Sequence, residues 1–346
     1  MMPISSTDKE KESQQLTPDV TVHDSAAQHW QQTTERGSSW GLSILLWVLR
    51  VFGRPVLGIV LYPVLAYFFV TGKTARTASR EYLHRLAIWH DASLSHRVSW
   101  RLCFNHFMDF AWTVADKIDA WSGNITHQHV DVMNPDTLHE LLADPRGALI
   151  IGAHMGNHDV LRAVYQTEGS PYYQDPNARQ HQVNVIMHTD HMPMLHRMMI
   201  KLSKHFNTNI FQVRDIGPET ALAWRQCVEQ GDWLCILGDR TTESNPENTV
   251  SVDFLGHTAR WPTGPWILAH ILECPVYLFL CVKTRTRFGR PYYRLYIERI
   301  AEQITLPRKT RQASLQNYVA QYVRRLEKQC QETPTQWFNF YPFWKQ

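Results

Sequence analysis

The chain has 346 residues, enough for one large domain or two small ones, with an ordinary apolar fraction of 44% and 13 tryptophans. A formal net charge of +3 says little by itself, and no nucleic-acid partner is expected. Six cysteines (Cys103, Cys227, Cys235, Cys274, Cys281 and Cys330) form no C-x-x-C pair, which argues against a disulfide framework or a thiolate zinc site and fits a reducing compartment.

Residues 1–38 are polar and carry few large apolar groups, so they are expected to be a disordered tail. No apolar stretch follows a basic start, so they lack the form of a signal peptide. From 40 to 70 the character changes. Apolar residues dominate, broken by Arg50, Arg54 and Pro55, and Lys73, Arg76 and Arg80 follow. A helix needs about 20 apolar residues to cross a bilayer. Neither half reaches that alone, and the whole does so only by carrying two arginines. Three readings stand: a spanning helix with snorkelling arginines, a re-entrant or interfacial segment, and a pair of buried helices in a soluble core. The basic flanks favour anionic lipid, so 39–72 is expected to be membrane-associated.

Residues 75–90 and 95–118 read as amphipathic helices, the second heavy in aromatics: Trp100, Phe104, Phe107, Phe110 and Trp112. A short strand is expected within 121–132, then a helix through Leu142 capped by Asp136 or Thr137. Further strands are expected at 148–152, 183–187, 210–213, 233–237, 276–282 and 292–300, with a run at 250–255 leading to Gly256. Helices are expected at 160–168, 192–206, 218–230, 264–272 and 312–330. Strands alternating with helices imply an α/β fold with a mainly parallel central sheet flanked by helices, preceded by the N-terminal membrane-associated segment.

Polar clusters at His154, His188 and Asp239 each follow an apolar strand, so they should converge at one edge of the sheet, where open α/β sheets bind ligands. The first is Ala153-His154-Met155-Gly156-Asn157-His158-Asp159, between a buried strand and a helix start. It joins a base, a carboxylate and the free N–H groups of a helix end. Taken by spacing alone, His154 and Asp159 also fit a capped helix with a satisfied histidine. A metal-dependent hydrolase is a competing reading, using His154, His158 and the cluster His188, Asp190 and His191. Gly156 and the strand-to-helix break between the first two histidines spoil a one-face pair, so no metal site is assigned. A non-enzymatic membrane scaffold is the third reading.

His154 and Asp159, with four residues between them, resemble the signature of the glycerolipid and lysophospholipid acyltransferase superfamily. The chain from about Trp40 to its end looks most like the branch of the lipid A lauroyl and myristoyl transferases. Gly238, Asp239 and Arg240 sit where the superfamily has its acidic third motif. The run Phe254, Gly256, Thr263, Gly264, Pro275, Val276 and the aromatic end Trp337 to Trp344 also resemble that branch. Two departures bear on the acceptor: Asp159 stands where many lipid A enzymes have Glu, and His188 where they often have Arg. A relative that acylates another lipid, such as an aryl polyene or other glycolipid precursor, stays open.

The resemblance implies an acyltransferase domain over 73–346 at the cytoplasmic face of a bacterial inner membrane, with no cofactor. An acyl carrier protein or acyl-CoA thioester would be the donor and a lipid or glycolipid hydroxyl the acceptor. His154 would be general base, since an ordinary imidazole titrates near neutrality, and Asp159 would orient it. The acceptor attacks the thioester directly, so no nucleophilic Ser or Cys is required. Amides near Gly156 and Asn157, or Arg240, would stabilise the oxyanion. His188, Asp239, Arg240 and Arg260 complete the expected substrate contacts.

Overall fold

The computed structural model describes residues 39–91, 98–165, 169–172, 181–187, 208–212, 218–241, 248–287 and 290–345. The tail 1–38, the expected helix 192–206, and His188 with Asp190 and His191 lie outside them.

Helix α1 (Ser39–Thr71) is broken at Gly53, whose φ of 73° and ψ of −173° lie in a region open mainly to glycine. Pro55, two residues on, supplies no backbone donor at the break. The stretch Trp47–Thr71 is long and apolar enough to cross a membrane. One face of α1, with Val48, Leu57, Leu61 and Leu65, packs on Met108 and Ala115 of α3 (Trp100–Trp121). The opposite face leaves Trp47, Val51, Ile59, Tyr62, Tyr67 and Val70 exposed. Arg54 turns inward rather than snorkelling. Its guanidinium pairs with Asp116 at 2.5 Å and Asp119 at 2.7 Å, and lies over the Trp112 ring. Between them, α2 (Lys73–His90) also packs on α3, which starts where the Ser99 hydroxyl accepts from the Leu102 amide.

The central layer is an α/β sheet of seven strands. In chain order the elements are β1 (Val130–Val132), α4 (Pro135–Ala143), β2 (Ala148–Gly152), α5 (Val160–Tyr165), β3 (Val183–Met187), β4 (Thr208–Gln212), α6 (Pro218–Glu229) and β5 (Trp233–Leu237). Then follow β6 (Thr249–Phe254), β7 (His257–Pro262), α7 (Gly264–Leu272), β8 (Val276–Arg287), β9 (Arg290–Ala301) and α8 (Arg311–Glu332). The sheet order is β1-β9-β8-β2-β5-β3-β4, with every pairing parallel except β8 with β9. The mainly parallel expectation therefore holds. The helix expected to be capped by Asp136 or Thr137 starts earlier, at Pro135, because proline suits a first turn that needs no N–H.

β2 lies in the middle of the sheet and is buried on both faces. Leu149 and Ile151 enter the core formed with α2, α7 and α8, while Ala148 and Ile150 enter the core formed with α4 and α5. Such two-sided burial is why the strand is a continuous apolar run rather than an alternating one. Each buried Leu or Ile contributes about 1.5–3 kcal/mol. One strand escaped the sequence pattern: β7 returns antiparallel to β6 as a separate hairpin. Its turn, Leu255 at φ 52° and Gly256 at φ 76°, has positive φ at both central residues, as tight hairpins favour.

Candidate active site

The register of two neighbouring strands builds the site. β2 and β5 run parallel with Gly152 opposite Leu237. Two residues beyond each strand end come His154 and Asp239, so the pairing brings a histidine and an aspartate side by side at the same sheet edge. The His154 amide donates to one Asp239 carboxylate oxygen at 2.9 Å, and the ring Nδ1 meets the other at 2.8 Å. The indole Nε1–H of Trp337 donates to the first oxygen, also at 2.9 Å. Asp239 is thus fully enclosed, whereas the His154 side chain keeps 29% of its surface accessible.

The electrostatics assign the tautomer. Burial works against ionisation of Asp239, but His154 and then Arg240 outweigh it and hold the carboxyl well below the usual range. An ionised carboxylate only accepts, so the His154 proton sits on Nδ1 and Nε2 carries the free lone pair. Burial and then the Arg240 charge push the His154 pKa below its ordinary value, with Asp239 opposing. The ring is therefore neutral and basic at physiological pH.

The structure places Asp159 away from the position expected for it. The carboxylate against the His154 Nδ1 belongs to Asp239, while Asp159 pairs with Lys117 of α3 at 2.7 Å. The reason lies in the backbone between His154 and Asp159. Gly156 has φ 59°, and its position lies so close to the Cys281 carbonyl that a Cβ would approach to 1.9 Å. The chain turns there before α5 begins, carrying Asp159 toward α3. Lys117 is a functional candidate the sequence reading missed; only its place in an aromatic-rich helix was visible.

The expected amide donors are also spoken for. The Gly156 N–H donates to the Gln336 carbonyl at 3.0 Å and the Asn157 N–H to the Cys281 carbonyl at 2.8 Å. Both bonds hold the loop. Arg240 does belong to this neighbourhood: its Nη2 donates to the Phe338 carbonyl and its guanidinium lies over the Tyr341 ring. Arg260 is exposed on β7 of the separate hairpin, which packs on the 3-10 turn Phe343–Lys345 and, through β6, on α8. His188 lies outside the described residues. His158 is pushed down to about 3 by burial and then by Lys117, so it stays neutral. Among the described residues, no three His, Cys, Asp or Glu side chains gather as metal ligands.

The arrangement is an orientated base at a sheet edge with two cations, Lys117 and Arg240, close enough to lower its pKa. A family model described as bacterial lipid A biosynthesis acyltransferase matches residues 29–346, nearly the whole chain. No curated protein matches it.

Proposed function

The chain belongs to the bacterial lipid A biosynthesis acyltransferase family, and from that premise we propose that it moves a fatty acyl chain from an acyl thioester, on acyl carrier protein or coenzyme A, to a hydroxyl of a lipid or glycolipid acceptor at the cytoplasmic face of a bacterial inner membrane. The observation that carries the reading is the His154–Asp239 pair at the edge of β2 and β5, with the His154 side chain partly accessible.

Nε2 takes the acceptor's hydroxyl proton as the oxygen attacks the thioester carbonyl. Asp239 stabilises the imidazolium that forms, the part a carboxylate plays in a triad. The tetrahedral intermediate collapses with cleavage of the C–S bond, and the imidazolium returns its proton to the leaving thiolate. No acyl-enzyme forms. With the Gly156 and Asn157 amides committed to the backbone, the developing oxyanion falls to the side-chain cations Lys117 and Arg240. Asp159 then acts by holding the Lys117 ammonium in position rather than by touching the base.

Purified protein in detergent, given acyl thioester and a lipid extract, should release free thiol and yield acylated lipid, detected by mass spectrometry. Removing a positioned base costs about 10² to 10⁴ in rate, so His154→Ala should lose nearly all transfer while folding normally. Asp239→Asn should be severely impaired. His154→Ala active at the wild-type rate, or a stable acyl-protein adduct trapped with donor alone, overturns the mechanism.

A further inference from the structure

We infer that Trp337, in the C-terminal segment, is a positioning residue of the active site: its indole N–H locks the Asp239 carboxylate in the orientation that presents the other oxygen to His154. The inference rests on the acyl-transfer reading of His154.

The segment is laced to the catalytic loop as an extra extended piece. Trp337 bridges Met155 antiparallel, and the flanking bonds are Phe338 N–H to the His154 carbonyl at 2.7 Å and Gly156 N–H to the Gln336 carbonyl. A residue 98 positions from Asp239 in the chain therefore arrives with its indole aimed at it. Neighbours leave the ring little freedom. Tyr82, Phe254 and Phe343 meet it edge-on, with centroids 4.9, 5.0 and 5.1 Å away. The backbone is fixed from the far side as well. Burial pushes His106 down to about 4, so the ring is neutral. Its Nε2–H donates to the Trp337 carbonyl at 2.8 Å, leaving Nδ1 to accept the Ser79 hydroxyl.

The lock has a chemical consequence. Asp239 has two oxygens and three donors: the His154 amide, the His154 ring and the Trp337 indole. The indole bond draws charge toward the oxygen that does not face the ring. Without it, the carboxylate is freer to rotate and puts more negative charge on the imidazolium, so His154 becomes more basic.

Trp337→Phe keeps an aromatic ring in the cage and deletes the donor along with part of the ring volume, a loss that by itself leaves the pH limb fixed. Its kcat/KM should fall about tenfold, the size of one hydrogen bond to a charged group. The acid limb of the pH profile should move up by about half a unit, while KM for the donor changes little. A purely structural role would lower activity equally at every pH and leave the limb fixed, which overturns the inference. If the variant does not fold, proton–nitrogen NMR of the wild-type indoles decides. The Trp337 Nε1–H should resonate downfield of a free indole and move upfield in Asp239→Asn. An unmoved resonance overturns the inference. In every case the His154→Ala control separates the two claims: a dead His154→Ala with an unmoved limb and resonance sinks only the Trp337 assignment, whereas an active one sinks the acyl-transfer reading beneath it.

Discussion

At the scale of single residues, the site works by opposing charges on one imidazole. Asp239 favours the protonated ring, and burial with the Arg240 charge favours the free base. The second group wins, which keeps Nε2 able to accept a proton at neutral pH. The balance predicts the sign of a pH shift. Arg240→Ala removes a positive charge that disfavours imidazolium, so the His154 pKa should rise. The acid limb of kcat/KM should then move to higher pH, and raising the salt concentration should narrow the difference between variant and wild type. A limb that moves down, or stays put at low salt, would contradict the arrangement. This residue level was half legible in the sequence. His154, Asp239 and Arg240 stood out because each follows a buried strand. The pairing of His154 with Asp239 rather than Asp159 did not, because it depends on the register of β2 against β5 and on the Gly156 turn, and neither is encoded in the five-residue spacing.

At the scale of elements, the junction between α1 and α3 carries a buried charge cluster. Asp116 is fully enclosed and receives Arg54 from α1, the Tyr293 hydroxyl from β9 and the Lys283 ammonium from β8. Removing one partner of a buried pair costs about 3–5 kcal/mol, because the survivor is left uncompensated. Lys283 and Tyr293 remain here, which puts Arg54→Met at the lower end, about 3 kcal/mol. It should lower the thermal unfolding midpoint in detergent clearly, whereas Arg50→Met, at an exposed position of the same helix, should leave it nearly unchanged. Equal midpoints for the two variants would show that the cluster adds nothing. The sequence leaves snorkelling, interfacial and buried readings of Arg54 open together, because its partners lie on a later helix and are not visible in the apolar run itself. The β6–β7 hairpin was hidden for a related reason. β7 carries only Ala259 and Trp261 on its buried face, too few alternations to announce a strand without its neighbour.

At the scale of the whole molecule, α1 has two unlike faces, and together they decide what truncation does. The inner face supplies Leu57, Leu61 and Leu65 to α3 and delivers Arg54 to Asp116. The outer face offers exposed apolar side chains from Trp47 to Val70, and Trp100 and Phe110 of α3 are exposed as well. A monomeric soluble protein rarely leaves so large a contiguous apolar surface in water, and the basic residues Arg50, Lys73 and Arg80 lie near it, suited to anionic headgroups. The full-length protein should therefore sediment with membranes and need detergent, not salt alone, for release. Deleting residues 1–72 should not yield a soluble enzyme. It uncovers Met108 and the Trp112 region of α3 and strips Arg54 from the buried Asp116, so the remainder should aggregate unless detergent covers the exposed face. Replacing Ile59 and Tyr67 by Asp, both on the outer face, should instead weaken membrane binding while leaving the α1–α3 contact intact. The measurement is fractionation and thermal melting of the three forms side by side. A full-length protein that stays in the supernatant without detergent would end the membrane assignment, and a truncated form that is monodisperse in plain buffer would show that α1 is a separable anchor rather than part of the fold.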